Sequence, residues 1–335
     1  MKTILFCNLP YAFSIMKPLA DALEKRGDAY LWYISPLLIE QFPYKTMQHT
    51  DSIKELERFE SDAIFVPGND VPYWLRGVKV QIFHGLAGEK KGHFRIRDYF
   101  DLYLTQGPYF TERFEALSKK HKNFKVIETG WCKLDTLYNY TKQTHRDKTI
   151  LYAPTFSPSL TSAKRLLSSI DLLSQEYKII IKFHDKMDKA LIATYQAIES
   201  ERITISQLKD ITPLLQQTDL MISDTSSVVY EYILLNKPVV TLESKSQNIN
   251  WENYTNVQEL EESVRYILEG KDKFKDKREE TISLYHPYSD GHSSERMIDA
   301  TEDYINTYGV PQNRKLPLLR KWKLKKLYKE KNYGW

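Results

Sequence analysis

Short runs rich in β-branched and other apolar residues alternate along the chain with longer stretches in which apolar positions recur every three or four residues. In the first part of the chain the short runs predict strands at "TILFCN", "AYLWYIS", "AIFVPG", "KVQIFHG", "LYLTQG" and "KVIETG". The periodic stretches, such as "SIMKPLADALEKRG" and "GPYFTERFEALSKKH", predict helices between several of them. Near residue 140 the pattern gives way to the polar segment "NYTKQTHRDK". A second series follows, with strands expected at "TILYAPT", "KIIIKFH", "ITISQ", "DLMISD" and "KPVVTLE". Such alternation predicts parallel sheets covered by helices. Two series joined by a polar linker predict an α/β chain of two Rossmann-like domains facing a central cleft, with ligands at the carboxyl ends of the strands. The expected domains are residues 1–142, residues 143–295, and a C-terminal helix and basic tail over 296–335. The tail is expected to return to the first domain or to meet a membrane.

One junction stands out. In "SDTSSVVYEYILLNKPVV", Ser223 to Val240, an acid and three hydroxyl residues separate two apolar runs. The run before them predicts a buried strand, and the run after them a helix ended by Asn236 and Pro238. Asp224, Thr225, Ser226 and Ser227 thus fall where the first N–H groups of a helix are unpaired and its dipole is positive. That place suits a phosphate. A serine there also serves as an ordinary helix cap.

Composition narrows the class. The 335 residues are 41% hydrophobic and 27% charged, as in a globular protein. No apolar run reaches the length of a membrane-spanning helix. The N-terminal apolar stretch is short, contains Asn8 and Pro10, and reads as strand, loop and helix rather than a secretion signal. The two cysteines, Cys7 and Cys132, are far apart and fit a reducing compartment. The net charge of +4 is uneven: nine Lys/Arg and one Glu lie from Arg314 onward, which leaves the rest at −4. The excess therefore points to the tail and not to a nucleic-acid groove. Its mixture of basic residues with Leu318, Leu319, Trp322 and Leu327 suits an anionic membrane surface, although the apolar positions form no single stripe.

The remaining chemistry sits at expected strand ends: "FHGLAGEKKG" from Phe83, "GWCKLD" from Gly130, "LYAPTF" from Leu151, "KFHD" from Lys182, the serine junction, and "DGHSSER" from Asp290. No metal-ligand spacing and no glycine-rich dinucleotide or P-loop motif occurs. His93, Asp98 and Asp101 read as scattered surface residues. Asp185 and Asp188, beside His184, leave a divalent cation open.

In order, from about Val80 to Arg296, these motifs resemble the CDP-glycerol glycerophosphotransferase family of teichoic-acid and capsule assembly. The family's "WHGTPLKKIG" is "FHGLAGEKKG" here, "LYAPTW" is "LYAPTF", "KLHP" is "KFHD", and "DYSSVxFDFxxLxKPV" is "DTSSVVYEYILLNKPV". The chain departs from the family at Leu86–Ala87–Gly88, at Asp185 and at Thr225, and keeps only loosely a motif spanning Trp131 to Asp135. The resemblance implies a GT-B-type fold. It implies transfer of glycerol phosphate, or a related polyol phosphate, from a CDP-activated donor to a hydroxyl of a lipid-linked or cell-surface glycan acceptor. CMP would leave. It implies His84 as the base, a role suited to a side chain whose charge changes near neutral pH; on residue type and place alone, His84 fits equally a structural histidine that fixes the turn.

The other assignments follow from residue type and place. Ser226 and Ser227 donate to the donor's diphosphate. His184 donates to a phosphate oxygen or protonates the leaving group, or else caps a strand end. Lys182 shares its direction if the strand continues, or else is an exposed edge lysine. Gly85 allows a sharp turn close to a ligand. Thr155 lines the donor pocket with Pro154. Asp224 and Thr225 complete the donor site, with Asp224 orienting a serine, holding a donor hydroxyl or capping the helix. Arg296 reaches the phosphates or pairs with Glu295 or the tail. Lys90 and Lys91 attract an anionic donor or a lipid diphosphate, or form a solvated charged turn. The expected location is cytoplasmic, peripheral on the inner face of the membrane, with no nucleic-acid partner. The alternative is a GT-B-type glycosyltransferase using a nucleotide sugar; an epimerase and a non-catalytic binding scaffold are the further readings.

Overall fold

The computed structural model describes residues 1–86, 93–140, 147–208, 210–246, 249–312, 314 and 316–328. The first apolar run forms β1 (Lys2–Cys7). The helix α1 (Ala12–Arg26) follows and buries Ile15, Met16, Leu19, Ala20 and Leu23 along one face. Gly27 closes it in the left-handed region, at φ 76°, so that its N–H and that of Asp28 reach the carbonyls of Glu24 and Leu23. Next come β2 (Ala29–Ile34), β3 (His49–Thr50), α2 (Ile53–Phe59), β4 (Ala63–Val66) and β5 (Val78–Gln81). They are followed by β6 (Leu102–Thr105), α3 (Pro108–His121), β7 (Lys125–Glu128) and the short α4 (Asp135–Tyr138). The strands form one parallel sheet in the order β3-β2-β1-β4-β5-β6-β7. Every residue of β4, β5 and β6 is buried, as expected for parallel strands covered on both faces.

The second series starts with β8 (Thr149–Tyr152), α5 (Leu167–Ser174), β9 (Lys178–Ile181), α6 (Lys189–Gln196) and β10 (Ile203–Ile205). It continues through α7 (Thr212–Gln217), β11 (Leu220–Ser223), α8 (Val228–Leu234), β12 (Val239–Leu242), β13 (Glu252–Tyr254), α9 (Val257–Leu268) and α10 (Lys275–Tyr285). Its parallel sheet has the order β10-β9-β8-β11-β12-β13. Ile150, Ile179, Ile181, Leu220, Ile222 and Val240 form the sheet side of its core; Leu166, Ile170 and Leu173, on α5 and the residue before it, and Leu260 and Val264 of α9 cover them. The chain ends with α11 (Ser293–Tyr308) and α12 (Leu318–Tyr328). It divides into two compact units, one of residues 1–136 with 285–335 and one of residues 137–284.

All eleven strands expected from the apolar runs are present. The two that the pattern did not announce, β3 and β13, are two and three residues long, lie at sheet edges and are mostly polar. Both sheets place their first strand beside their fourth, so strand order reverses between β1 and β4 in one unit and between β8 and β11 in the other. Ligands of open α/β sheets bind beyond the carboxyl ends of the strands at such reversals. Gly68, just past β4, is packed so closely there that a Cβ would lie 2.7 Å from Asn8 Oδ1, just past β1.

Asp101 corrects the sequence reading. It is not at the surface but 6% exposed. Its carboxylate accepts the Lys79 N–H at 2.7 Å and is paired through both oxygens with the Arg314 guanidinium, at 3.0 Å from Nε to Oδ1. The partner that makes this burial affordable lies more than two hundred residues away, so no local pattern announces it.

Candidate active site

In the first unit His84 follows β5, the strand beyond β4, and its contacts reach Tyr11 after β1 and Pro67 after β4, which flank the strand-order reversal. The chain turns at Phe83, which adopts φ 62°, an uncommon conformation for a bulky residue. Phe83 is buried between His93 and Phe114, and the next side chain, His84, is exposed. The expected turn at Gly85 is thus made two residues earlier. Gly85 is not in the left-handed region, and a Cβ added to it would meet nothing within 4 Å. Its carbonyl accepts from Gln106 Nε2 at 3.1 Å.

The His84 ring stacks on Tyr11, with centroids 5.2 Å apart, and its Nδ1 lies 3.0 Å from the Pro67 carbonyl oxygen. A carbonyl only accepts, so Nδ1 carries the proton. The neutral ring then leaves Nε2 as its basic nitrogen.

His184, in the second unit, is held in the opposite sense. Its Nδ1 accepts the Lys186 backbone N–H at 3.1 Å, so in the neutral ring the proton is on Nε2. It therefore both caps a turn and presents a donor. The ring packs on Phe156, with centroids 4.4 Å apart. Burial pushes its pKa down, aided by Lys186 and Lys182 and opposed by Asp185. β9 ends at Ile181, so the strand does not carry the direction of Lys182 on to His184. The Lys182 ammonium instead donates to the Phe183 carbonyl at 3.0 Å. Asp188 caps α6 through the N–H groups of Ala190 and Leu191. Among the described residues no group of three or more His, Cys, Asp or Glu side chains is arranged to hold a metal ion.

At the reversal between β8 and β11, Asp224 is fully buried. One carboxylate oxygen accepts the Thr155 N–H at 2.8 Å, and the other accepts the N–H and the hydroxyl of Ser162, each at 2.8 Å. Burial raises its pKa, and these three bonds oppose the rise. Asp224 thereby fastens the loop after β8 to the end of β11. The serine it orients is Ser162, which the sequence reading did not single out. Thr225 Oγ1 accepts the Lys245 N–H at 2.9 Å, and the Ser226 N–H returns to the Asp224 carbonyl at 3.0 Å. Ser227 opens α8 without making a side-chain cap, and its side chain is exposed, with Ser226 half-buried beside it.

Arg296 is engaged within the first unit. Its guanidinium is bidentate to Asp290, at 2.7 and 3.2 Å, and donates to the Thr129 carbonyl at 2.8 Å and to Ser293 Oγ at 3.1 Å. Glu295 pairs with His292 and Lys25 instead. Around Arg296 two of the sequence motifs meet. Asp135 accepts the N–H groups of Ser293 and Ser294 at 2.8 and 2.7 Å, and so caps α11 from outside the helix. The Trp131 N–H donates to Nε2 of the fully buried His286 at 2.9 Å, and the Tyr288 hydroxyl donates to Glu128 at 2.9 Å. These contacts join the segment after β7 to the segment before α11. Lys90, Lys91 and Gly88 lie outside the described residues.

The C-terminal helix α12 rests on the first unit. Arg320 donates to the Arg97 carbonyl and, at 2.7 Å, to Asp98; the Tyr328 hydroxyl donates to the Asp70 carbonyl at 3.0 Å. Leu324 is buried, while Leu318, Leu319, Trp322 and Leu327 are 60–81% exposed. No helix among the described residues is long and apolar enough to cross a membrane.

Comparison with known proteins agrees with the two-sheet architecture. The wall teichoic acid polymerase TagF superposes with a TM-score of 0.63 over 92% of this chain and 89% of that one, at 17% identity. The UDP-GlcNAc 2-epimerase of Neisseria meningitidis superposes with a TM-score of 0.63 over 90% of this chain and all of that one, at 13% identity. At such identities the likeness is one of fold, and the fold is the α/β, GT-B type expected from the sequence. In sequence, the chain is 26% identical over 228 residues to the teichoic acid glycerol-phosphate primase of Bacillus subtilis strain 168, across 61% of this chain and 58% of that protein. It is 24% identical over 275 residues to the teichoic acid ribitol-phosphate polymerase TarL of Staphylococcus aureus, across 65% of this chain and 46% of that protein. The chain thus spans about half the length of these relatives. Residues 79–302 match the CDP-glycerol:poly(glycerophosphate) glycerophosphotransferase family, and the chain belongs to that family.

Proposed function

We propose that the chain transfers glycerol phosphate, or a related polyol phosphate, from a CDP-activated donor to a hydroxyl of a lipid-linked or cell-surface glycan acceptor. The acceptor oxygen bonds to the distal phosphorus of the donor, the bridging P–O bond breaks, and CMP leaves with its electron pair. The acceptor's proton passes to Nε2 of His84. The observation that carries this reading is the bond from His84 Nδ1 to the Pro67 carbonyl, which leaves Nε2 as the basic nitrogen in a chain of this family. A positioned base contributes about 10²–10⁴-fold to such a step.

Four further side chains are assigned to the developing negative charge. His184 offers Nε2–H, Lys182 its ammonium, and Ser226 and Ser227 their hydroxyls. Thr155, Asp224 and Thr225 shape the donor site from the loops at the strand-order reversal, and Gly85 leaves room beside His84. Arg296, held by Asp290, supports this chemistry by fixing the segment before α11. A nucleotide sugar is the donor this reading excludes.

The chain works peripherally, at an anionic membrane surface on the cytoplasmic side. Support comes from α12, which exposes Leu318, Leu319 and Trp322 together with Lys323, Lys325 and Lys326.

Ligand-dependent unfolding tests the donor assignment. CDP-glycerol or CDP-ribitol raises thermal stability, UDP- and GDP-sugars do not, and Ser226→Ala/Ser227→Ala weakens the rise. At a hundred times the Kd the stabilisation is about 2.7 kcal/mol. A rise with UDP- or GDP-sugars alone overturns the reading.

A further inference from the structure

A polar cavity lies in the first unit, at the root of α12, with a volume of about 520 Å³. Arg95, Arg97, Arg320 and Lys323 line it, with the carboxylate of Asp70 the one acid among the described lining residues. Part of this charge is already spent. Arg320 is paired with Asp98, and Arg97 donates to the Arg95 carbonyl at 2.7 Å. Arg95 and Lys323 are exposed. Leu319 is also in the lining, 77% exposed, and continues the apolar edge formed by Leu318 and Trp322.

A cationic cavity opening beside exposed leucines and a tryptophan fits a molecule that is anionic at one end and apolar at the other. We propose that this cavity binds the phosphate headgroup of an anionic phospholipid, with the acyl chains along Leu318, Leu319 and Trp322. The proposal rests on the membrane reading above and makes it specific: one lipid is held at a built site, beyond any diffuse attraction of a basic helix. Arginine suits the role because its planar fork matches phosphate oxygens.

The site is also tied to the proposed base. The Tyr328 hydroxyl, at the end of α12, donates to the Asp70 carbonyl, and Asp70 itself lines the cavity. Pro67, three residues earlier on the same loop, holds His84 Nδ1. The loop after β4 therefore carries both the wall of the lipid cavity and the support of the base. A lipid seated here fixes the height of His84 relative to the bilayer, which a lipid-linked acceptor requires.

Vesicle co-sedimentation of the full chain tests this, with phosphatidylcholine alone and with phosphatidylcholine mixed with phosphatidylglycerol. Two double variants remove equal charge: Arg95→Gln/Lys323→Gln from the cavity and Lys325→Gln/Lys326→Gln from the open flank of α12. Circular dichroism checks that each is folded. The chain is expected to bind only the vesicles containing phosphatidylglycerol. The flank variant should bind them about thirtyfold more weakly, the loss for two basic residues near an anionic surface. The cavity variant should lose more than about a hundredfold, because it gives up charge-assisted hydrogen bonds as well. Equal losses in the two variants overturn the cavity and leave the membrane reading standing. No vesicle binding by the unaltered chain overturns both. Inorganic phosphate, titrated alone by calorimetry, is the third arm. If it binds as tightly as the vesicles do, and the cavity variant abolishes that binding, the cavity takes free phosphate and the lipid assignment falls.

Discussion

The carboxylate of Asp224 accepts the backbone N–H of Thr155 at 2.8 Å, and this bond ties together the two loops that flank the strand-order reversal of the second sheet. The same carboxylate takes both donors of Ser162. A buried acid with three hydrogen bonds and no paired cation among the described residues is a structural fastening, and its worth lies in the donors it satisfies. Asp224→Ala leaves those donors without their acceptor. It should destabilise the chain by about 3 kcal/mol or more, at about 1–3 kcal/mol for each orphaned group. Asp224→Asn, which keeps one acceptor oxygen, should cost less. Urea unfolding of the two variants measures the difference.

His286 makes the first unit sensitive to acid. Burial and the neighbouring Arg296 lower its pKa to about 4, while its Nε2 accepts the Trp131 N–H. A folded pKa below the unfolded one means that the contribution to stability is complete above about pH 6.5 and is lost as pH falls through about 4. The full swing is about 3 kcal/mol. His286→Gln retains an acceptor and removes the titration. Its stability should vary less than that of the unaltered chain between these pH values, as followed by denaturant titrations at a series of pH values.

Gly130 is required by both conformation and space. Its φ is 81°, and a Cβ would lie 2.5 Å from Ser293 Oγ and 3.0 Å from His286 Nε2. Gly130→Ala should therefore push the segment after β7 away from α11. The loss should exceed the roughly 1 kcal/mol that the left-handed conformation alone costs a residue with a side chain. Removing the cap through Asp135→Ala, which frees the N–H groups of Ser293 and Ser294, should cost about 0.5–2 kcal/mol. Thermal melts of the two variants test both values.

Arg314 holds α12 to the body of the first unit. Arg314 and Asp101 are each less than 10% exposed, so breaking the pair strands a buried carboxylate. Arg314→Ala should destabilise by about 3–5 kcal/mol. Arg314→Ala should also make the segment that follows more susceptible to protease, read as the rate of C-terminal cleavage under native conditions.

The fold was largely legible because parallel strands buried on both faces must be continuous apolar runs, and eleven such runs stand in the sequence. β3 and β13 escaped because they are short and mostly polar at the sheet edges. In the site, residue types and strand-end positions picked out His84, His184 and the serine junction. What the sequence could not give was which atom each group spends on the protein. The opposite ring-nitrogen bonds of His84 and His184 depend on Pro67 and Lys186. Ser162 looked ordinary until Asp224 reached it across sixty-two residues. Asp101 looked like a surface acid because its cation comes from the far end of the chain. Such long-range pairings leave no local periodicity to read.

The most direct test of the central claim is turnover with CDP-glycerol labelled in the glycerol moiety and membranes as the source of acceptor. CMP release and label transfer are counted together for the unaltered chain and for His84→Gln. One CMP is expected for each glycerol phosphate transferred. A fall of about 10²–10⁴-fold is expected in the variant, with CDP-glycerol binding retained. Full activity in His84→Gln, or turnover with a nucleotide sugar and none with CDP-glycerol, would contradict that claim.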